Sequence, residues 1–170
     1  MTTTGRLAAF GTTIFAEMSA LAVRHGAVNL GQGFPDTDGP QEVLDAAVAA
    51  ILGGQNQYAP GPGIPALRRA IAEHQKDWYG LDYDPDSEVL VTAGATEALT
   101  AAIIALTEPG DEVVMLEPYY DSYAAAIALA GAVHRPVRLA APQAPGARWH
   151  FDEDAFRAAI GPRTRLILLN

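Results

Sequence analysis

Residues 89–99 read VLVTAGATEAL and predict a buried strand, a turn at Gly94 and the start of a helix that runs to about Leu106. The residues before the turn are aliphatic and β-branched, whereas those after it are rich in Ala, Ile and Leu. Such a turn leaves the first helical N–H groups without intrahelical partners, at the positive end of the helix dipole. The sequence therefore indicates a site for a phosphate or a carboxylate, and a plain packing turn is the alternative.

The segments on either side of this turn predict an α/β fold. Three helices precede it, at 14–25, 40–52 and 65–79, and loops rich in Gly and Pro separate them. After it come strands at 113–117, 133–139 and 164–169, with helices at about 120–130 and 152–160. Strands that alternate with helices imply right-handed crossovers and a mainly parallel sheet covered by helices on both faces.

The composition argues against several classes of function. The 170 residues carry a net charge of −9 and no basic run, which argues against binding to nucleic acid or to an anionic membrane. The chain has no cysteine, as is typical of a cytoplasmic protein, so disulfides and thiolate ligands are excluded. Its longest apolar stretches are too short to span a bilayer. The histidines lack metal-ligand spacing and predict no metal site: His25, His74, His134 and His150.

A second group of candidate functional residues follows the strand predicted at 113–117. Residues 118–123 read PYYDSY, and three tyrosines there are either an ordinary core edge or a surface on which a planar cofactor stacks. Ligands of α/β sheets bind at the carboxyl ends of strands, so this segment and the Gly94 turn support each other. The single lysine, Lys76, falls on the solvated side of its helix, which makes it a poor nucleophile.

Four ordered motifs resemble those of the class I/II aminotransferases, which are fold-type I enzymes that depend on pyridoxal phosphate (PLP). The motifs are NLGQGFPD at 29–36, NQYAPG at 56–61, TAGATEA at 92–98 and PGDEV at 109–113. The resemblance runs from about Phe10 to Asn170. The segment TTIFAEMSALA at 12–22 is similar to the branch that acts on methionine, kynurenine and related substrates or on N-succinyldiaminopimelate.

The resemblance implies positions for the cofactor. The backbone N–H groups of Ala95 and Thr96, after the Gly94 turn, would hold the PLP phosphate, and Thr96 would add its hydroxyl. Tyr120 would stack on the pyridine ring. Tyr58 would cross a homodimer interface and hydrogen-bond the phosphate in the partner's site.

The resemblance also implies a substrate site and a division into domains. The backbone of Gly33 would contact the substrate carboxylate, and Phe15 would line the pocket for the substrate side chain. Residues 1–39 would form an N-terminal arm and part of a small domain, and 40–170 the first part of the large PLP-binding domain. The substrates would be an amino acid and a 2-oxo acid.

The catalytic residues of the family are expected outside this sequence. The resemblance places the Schiff-base lysine beyond Asn170, so the segment should be catalytically incomplete, and Lys76 has no catalytic role. Two other functions stay open at this point. One is a PLP-dependent carbon–sulfur β-lyase on the same fold, and the other is a non-catalytic homologue that acts as a binding module.

Overall fold

The computed structural model describes residues 4–33, 35 and 37–170, which form two compact units. The helical unit comprises residues 13–92, and the sheet unit comprises residues 93–170 with the segment before residue 13. After a 3-10 helix at Gly5–Leu7, the helices are α1 (Ile14–His25), α2 (Gln41–Leu52), α3 (Pro65–Tyr79), α4 (Ala95–Leu106), α5 (Ser122–Ala130) and α6 (Glu153–Ala159). The strands are β1 (Glu112–Glu117), β2 (Val133–Arg138) and β3 (Thr164–Leu168).

Local signals set the ends of α1 and α3. The side-chain oxygen of Thr13 accepts a hydrogen bond from the Ala16 N–H at 3.2 Å and caps the start of α1, and Gly26 ends it in the left-handed region at φ +58°. α3 begins at Pro65, whose fixed φ suits the first helical position, and ends at Gly80 with φ +67°. The bounds that the sequence predicts for these two helices are therefore confirmed.

The sheet unit contains a three-stranded parallel sheet with the strand order β2–β1–β3. The central strand carries the buried residues Val113, Val114 and Met115. Ile103 of α4 and Ile127 of α5 belong to the same core cluster as Met115, so both helices pack on this strand. A parallel sheet joined by crossover helices confirms the predicted α/β class.

The buried strand predicted from residue 89 is wrong for the described part of the chain, which has no strand there. Leu90 is 65% exposed, and the Val91 N–H donates to the Pro62 carbonyl at 3.0 Å. The backbone at Gly63 lies very close to Val91, because a Cβ on Gly63 would lie 2.6 Å from the Val91 side chain. A strand needs a ladder partner, and among the described residues no strand pairs with this segment. Residues 89–91 therefore pack against the loop at 62–63 instead.

A buried carboxylate connects the amino-terminal ends of the strands. Glu112 is 5% exposed, and its Oε1 accepts hydrogen bonds from Arg135 at 2.7 Å and from Arg163 at 2.6 Å. The Arg135 guanidinium, followed by that of Arg163, holds the pKa of Glu112 below its ordinary value. Because the folded-state pKa is the lower one, these bonds stabilise the protein above the unfolded-state pKa. That contribution is lost as the pH falls through the folded-state pKa.

We expect Glu112→Gln to lower the midpoint of urea unfolding near neutral pH and to change it little at a pH below the folded-state pKa, where the wild-type carboxyl is itself protonated. Urea titrations of both proteins across the acid range measure this. Glu153→Gln is the control, because its ion pair with Arg157 is exposed and exposed pairs contribute little. Equal losses for the two variants near neutral pH would contradict the prediction.

Candidate functional site

The turn before α4 has the backbone geometry of an anion site. Gly94 has φ +90° and ψ 169°, a combination that residues with a Cβ avoid, and it offers no side chain as a helix cap. The N–H groups of Ala95 and Thr96 follow it in the first turn of α4, where N–H groups have no intrahelical acceptor. Both residues are exposed, and the space beside Gly94 is open. The turn therefore presents donors and a positive helix end to an anion.

Glu97 stabilises this turn without using those donors. Its Oε2 accepts a hydrogen bond from the Ala93 N–H, one residue before Gly94. This contact is related to a capping box, in which a carboxylate of the first turn reaches back to a backbone N–H. A negative charge in the first turn also interacts favourably with the helix dipole. This contact does not use the N–H groups of Ala95 and Thr96.

The N-terminus of α4 faces the carboxyl ends of the strands. Nε of Arg165, near the start of β3, donates to the Leu106 carbonyl at the end of α4 at 3.1 Å. Leu99 packs on the core cluster that contains Met115, so α4 runs along the sheet. Its 12 residues span about 18 Å. The Gly94 turn therefore lies toward the end of the sheet where α/β proteins bind ligands.

Tyr120 lies at the same end, in the segment between β1 and α5. Its ring is 45% exposed and packs edge-on against Tyr123, with ring centroids 5.8 Å apart and an interplanar angle of 69°. Tyr123 is 8% exposed, and its hydroxyl donates to Oδ1 of Asn170 at 2.8 Å, just after β3. An exposed ring held by a buried one provides a flat face for a planar ligand.

The residues predicted to contact substrate lie in the helical unit. Phe15 is half-buried in α1, and Gly33 is exposed in the loop that follows this helix. Phe34 and Asp36, which belong to the same motif as Gly33, lie outside the described residues. The substrate roles of Phe15 and Gly33 stay predictions.

Two residues near the predicted sites make contacts that the sequence did not predict. Asn29 donates from Nδ2 to the Ser19 hydroxyl of α1 at 3.1 Å, and its Oδ1 accepts from the Gly31 N–H at 3.0 Å. It thereby fixes the loop that leads to Gly33 onto α1. An Asn two residues before a Gly in a loop is a known turn signal, so this contact had a local signature. The hydrogen bond of Tyr123 had none, because its acceptor is 47 residues away.

Tyr58 and Lys76 are both on the surface of the helical unit. Tyr58, in the loop after α2, is fully exposed, so it is accessible to a second chain. Its role at a dimer interface stays a prediction. Nζ of Lys76 forms an ion pair with Asp82 at 3.1 Å, and the lysine side chain is 63% exposed. The solvated environment predicted for Lys76 is confirmed.

Three further predictions concern metal sites, the histidines and membrane-spanning helices. Across residues 4–33, 35 and 37–170, no three His, Cys, Asp or Glu side chains are grouped so that they could hold a metal ion. His134 is half-buried with its ring 5.0 Å from that of Tyr119, and burial lowers its pKa. Among the described helices, none combines the length and apolar character that a membrane crossing requires.

Comparison with known proteins identifies the family. The family model described as Aminotransferase class I and II matches residues 25–170. The chain belongs to this family. It is 57% identical to the probable N-succinyldiaminopimelate aminotransferase of Mycobacterium tuberculosis over 99% of this chain and 42% of that relative. It is 49% identical to the methionine aminotransferase of Escherichia coli, over 97% of this chain and 42% of that relative.

A solved structure supports the same assignment. The N-succinyldiaminopimelate aminotransferase of M. tuberculosis superposes with a TM-score of 0.90 at 57% identity, covering 98% of this chain and 42% of that one. The chain thus spans less than half the length of the relatives that it matches. The family and the α/β fold implied by the four motifs are confirmed.

Proposed function

We propose that this chain forms part of a PLP-dependent aminotransferase, which moves an amino group from an amino acid to a 2-oxo acid. The observation that carries the proposal is the glycine-only turn at Gly94, which places the N–H groups of two exposed residues in the first turn of α4. Gly94 and α4 lie within residues 25–170, the part of the chain that the aminotransferase family model matches. The names of the relatives support an N-succinyldiaminopimelate, methionine or kynurenine type of amino donor.

The residues at the Gly94 turn fit the phosphate group of PLP. The phosphate of PLP carries three strong acceptor oxygens and negative charge, and the first turn of α4 supplies N–H donors and a positive helix end. The Ala95 and Thr96 N–H groups and the Thr96 hydroxyl would bind it. The absence of a Cβ at Gly94 lets the backbone turn sharply enough to present these donors.

The exposed face of Tyr120 fits the planar pyridine ring. Its ring would cover one face of the cofactor and exclude water from it, while Tyr123 limits the orientation of Tyr120. When bound, PLP supplies an electron sink that makes loss of the substrate Cα proton feasible. The amine that moves this proton is expected beyond Asn170, since Lys76 is exposed and paired with Asp82.

The remaining roles concern the complete enzyme. Tyr58 would reach the phosphate in the partner of a cytoplasmic homodimer, and its full exposure is compatible with that role. Gly33 would bind the substrate carboxylate and Phe15 would line the side-chain pocket. Residues 1–39 would contribute an arm and part of the small domain, and 40–170 the first part of the large PLP-binding domain.

The complete protein that contains this segment is expected to bind PLP with a visible absorption band that borohydride abolishes. It should also transfer the amino group of N-succinyldiaminopimelate, methionine or kynurenine to 2-oxoglutarate. Absorption spectroscopy and a panel of amino donors measure these outcomes. Lys76→Arg is the control and should keep both the band and the activity, because Lys76 lies in the solvated ion pair.

Other results would support the alternatives. Release of ammonia and pyruvate from cystathionine, without amino transfer, would identify a β-lyase. A reading frame that continues past Asn170 without a lysine for the Schiff base would contradict the proposal of an enzyme. So would a protein that binds no PLP.

A further inference from the structure

One buried tyrosine connects the candidate stacking residue to the neighbouring strand end. Tyr123, the second residue of α5, contacts Tyr120 edge-to-face with its ring and Asn170 with its hydroxyl. The Tyr123 backbone N–H also donates to the Tyr120 carbonyl at 3.1 Å. Tyr123 thus holds Tyr120 through both its ring and its backbone.

The hydrogen bond to Asn170 joins two segments that are far apart in sequence. Tyr120 and Tyr123 follow β1, whereas Asn170 follows β3, and β1 and β3 are paired in parallel. Their carboxyl ends therefore lie side by side, and the 2.8 Å hydrogen bond closes the gap between the segments that leave them. The bond is partly buried, since Tyr123 is 8% exposed whereas Asn170 lies at the surface.

We propose that Tyr123 is a positioning residue for the PLP site. Its ring sets the orientation of the Tyr120 ring, and its hydroxyl holds the side chain of Asn170, just after β3. Tyr123 acts through these two neighbours and does not itself contact the cofactor. The inference rests on the proposed function, since it assigns Tyr120 as the surface on which the pyridine ring stacks.

The test compares Tyr123→Phe with wild type in the complete protein. The substitution keeps the ring contact and removes the hydroxyl, so Asn170 loses its hydrogen-bond donor. We expect PLP affinity to fall by up to about tenfold, because the loss cannot exceed the contribution of the one hydrogen bond that orders the site. We also expect the visible circular dichroism of bound PLP to change, because this signal depends on how the cofactor ring is held. PLP titration of the apoprotein and the dichroism spectrum measure these effects.

A double-mutant cycle tests whether the hydroxyl acts through Asn170. If it does, Tyr123→Phe has little further effect on PLP affinity once Asn170→Ala is present. Tyr119→Phe is the matched control, because it removes a hydroxyl one residue before Tyr120 and should leave the dichroism unchanged. Tyr123→Leu removes both the hydroxyl and the ring, so it should change the dichroism more than Tyr123→Phe does. If the Leu variant does not fold, the Phe variant still provides the test.

The outcomes separate this proposal from the proposed function. Unchanged PLP affinity and dichroism in Tyr123→Phe, with only a lower melting temperature of the apoprotein, would show a purely structural role and overturn the proposal. Fully additive effects of the two substitutions would overturn the link through Asn170. A wild-type protein that binds no PLP would contradict the proposed function, and the positioning role with it.

Discussion

Replacing Thr96 with glutamate is expected to weaken PLP binding by about a hundredfold or more while leaving the apoprotein at least as stable. Thr96 is exposed in the first turn of α4, where a carboxylate interacts favourably with the helix dipole by about 0.3–1 kcal/mol. The same carboxylate would stand where the proposal places the PLP phosphate, and two negative charges there repel each other. Thermal melting of the apoprotein and PLP titration measure the two opposite effects.

Thr96→Gln is the matched control for this prediction. Glutamine has nearly the same size as glutamate and lacks the charge, so it removes the threonine hydroxyl without adding repulsion. We expect its loss of PLP affinity to be about tenfold or less, the contribution of one hydrogen bond. Equal affinities of the Glu and Gln variants would show that the phosphate does not bind at the N-terminus of α4. A large loss of apoprotein stability in Thr96→Glu would show that the carboxylate disturbs the fold itself.

The helices that the sequence predicted with correct bounds are those with signals in their own residues. Thr13 and Gly26 mark the ends of α1, and Pro65 and Gly80 mark those of α3. These residues act through backbone conformation and a single capping hydrogen bond, so neighbours in sequence suffice to predict them. The Gly94 turn is of the same kind, because its φ of +90° and the helix that follows are local properties.

The prediction that was wrong depended on a partner that residues 89–91 cannot supply themselves. Their β-branched composition is that of a strand, yet a strand forms only where another strand offers its N–H and carbonyl groups. Val91 instead donates to Pro62 and packs beside Gly63. Composition gives the preference of a segment, whereas pairing depends on the rest of the fold.

The same difference between local signals and long-range contacts applies to the residues of the candidate site. The Gly94 turn and the segment at 118–123 were predicted because each follows a strand-like segment, and the resemblance to the family singled out Ala95, Thr96 and Tyr120 within them. The bond from Tyr123 to Asn170 spans 47 residues, and only the parallel pairing of β1 with β3 brings the two together. Residues that would contact the cofactor thus have local signals, while residues that hold those contacts in place are found only in the structure.

Ile127→Ala is expected to lower the free energy of unfolding by about 2–5 kcal/mol, the usual cost of truncating a buried Ile to Ala. Ile127 is fully buried in α5 and shares the core cluster with Ile103 of α4 and Met115 of β1. The truncation leaves a cavity between two helices and the sheet, and close-packed interiors fill such cavities only in part. Urea unfolding of the apoprotein measures the loss.

Leu129→Ala is the control for Ile127→Ala, because Leu129 lies two residues farther along α5 and is 41% exposed. Its truncation leaves no closed cavity, and alanine favours the helix, so we expect a loss below about 1 kcal/mol. Similar losses for the two variants would mean that α5 does not pack on β1 through Ile127. The helix that carries Tyr123 would then lack the rigid support that a positioning residue requires, so this stability measurement also tests the physical basis of the site.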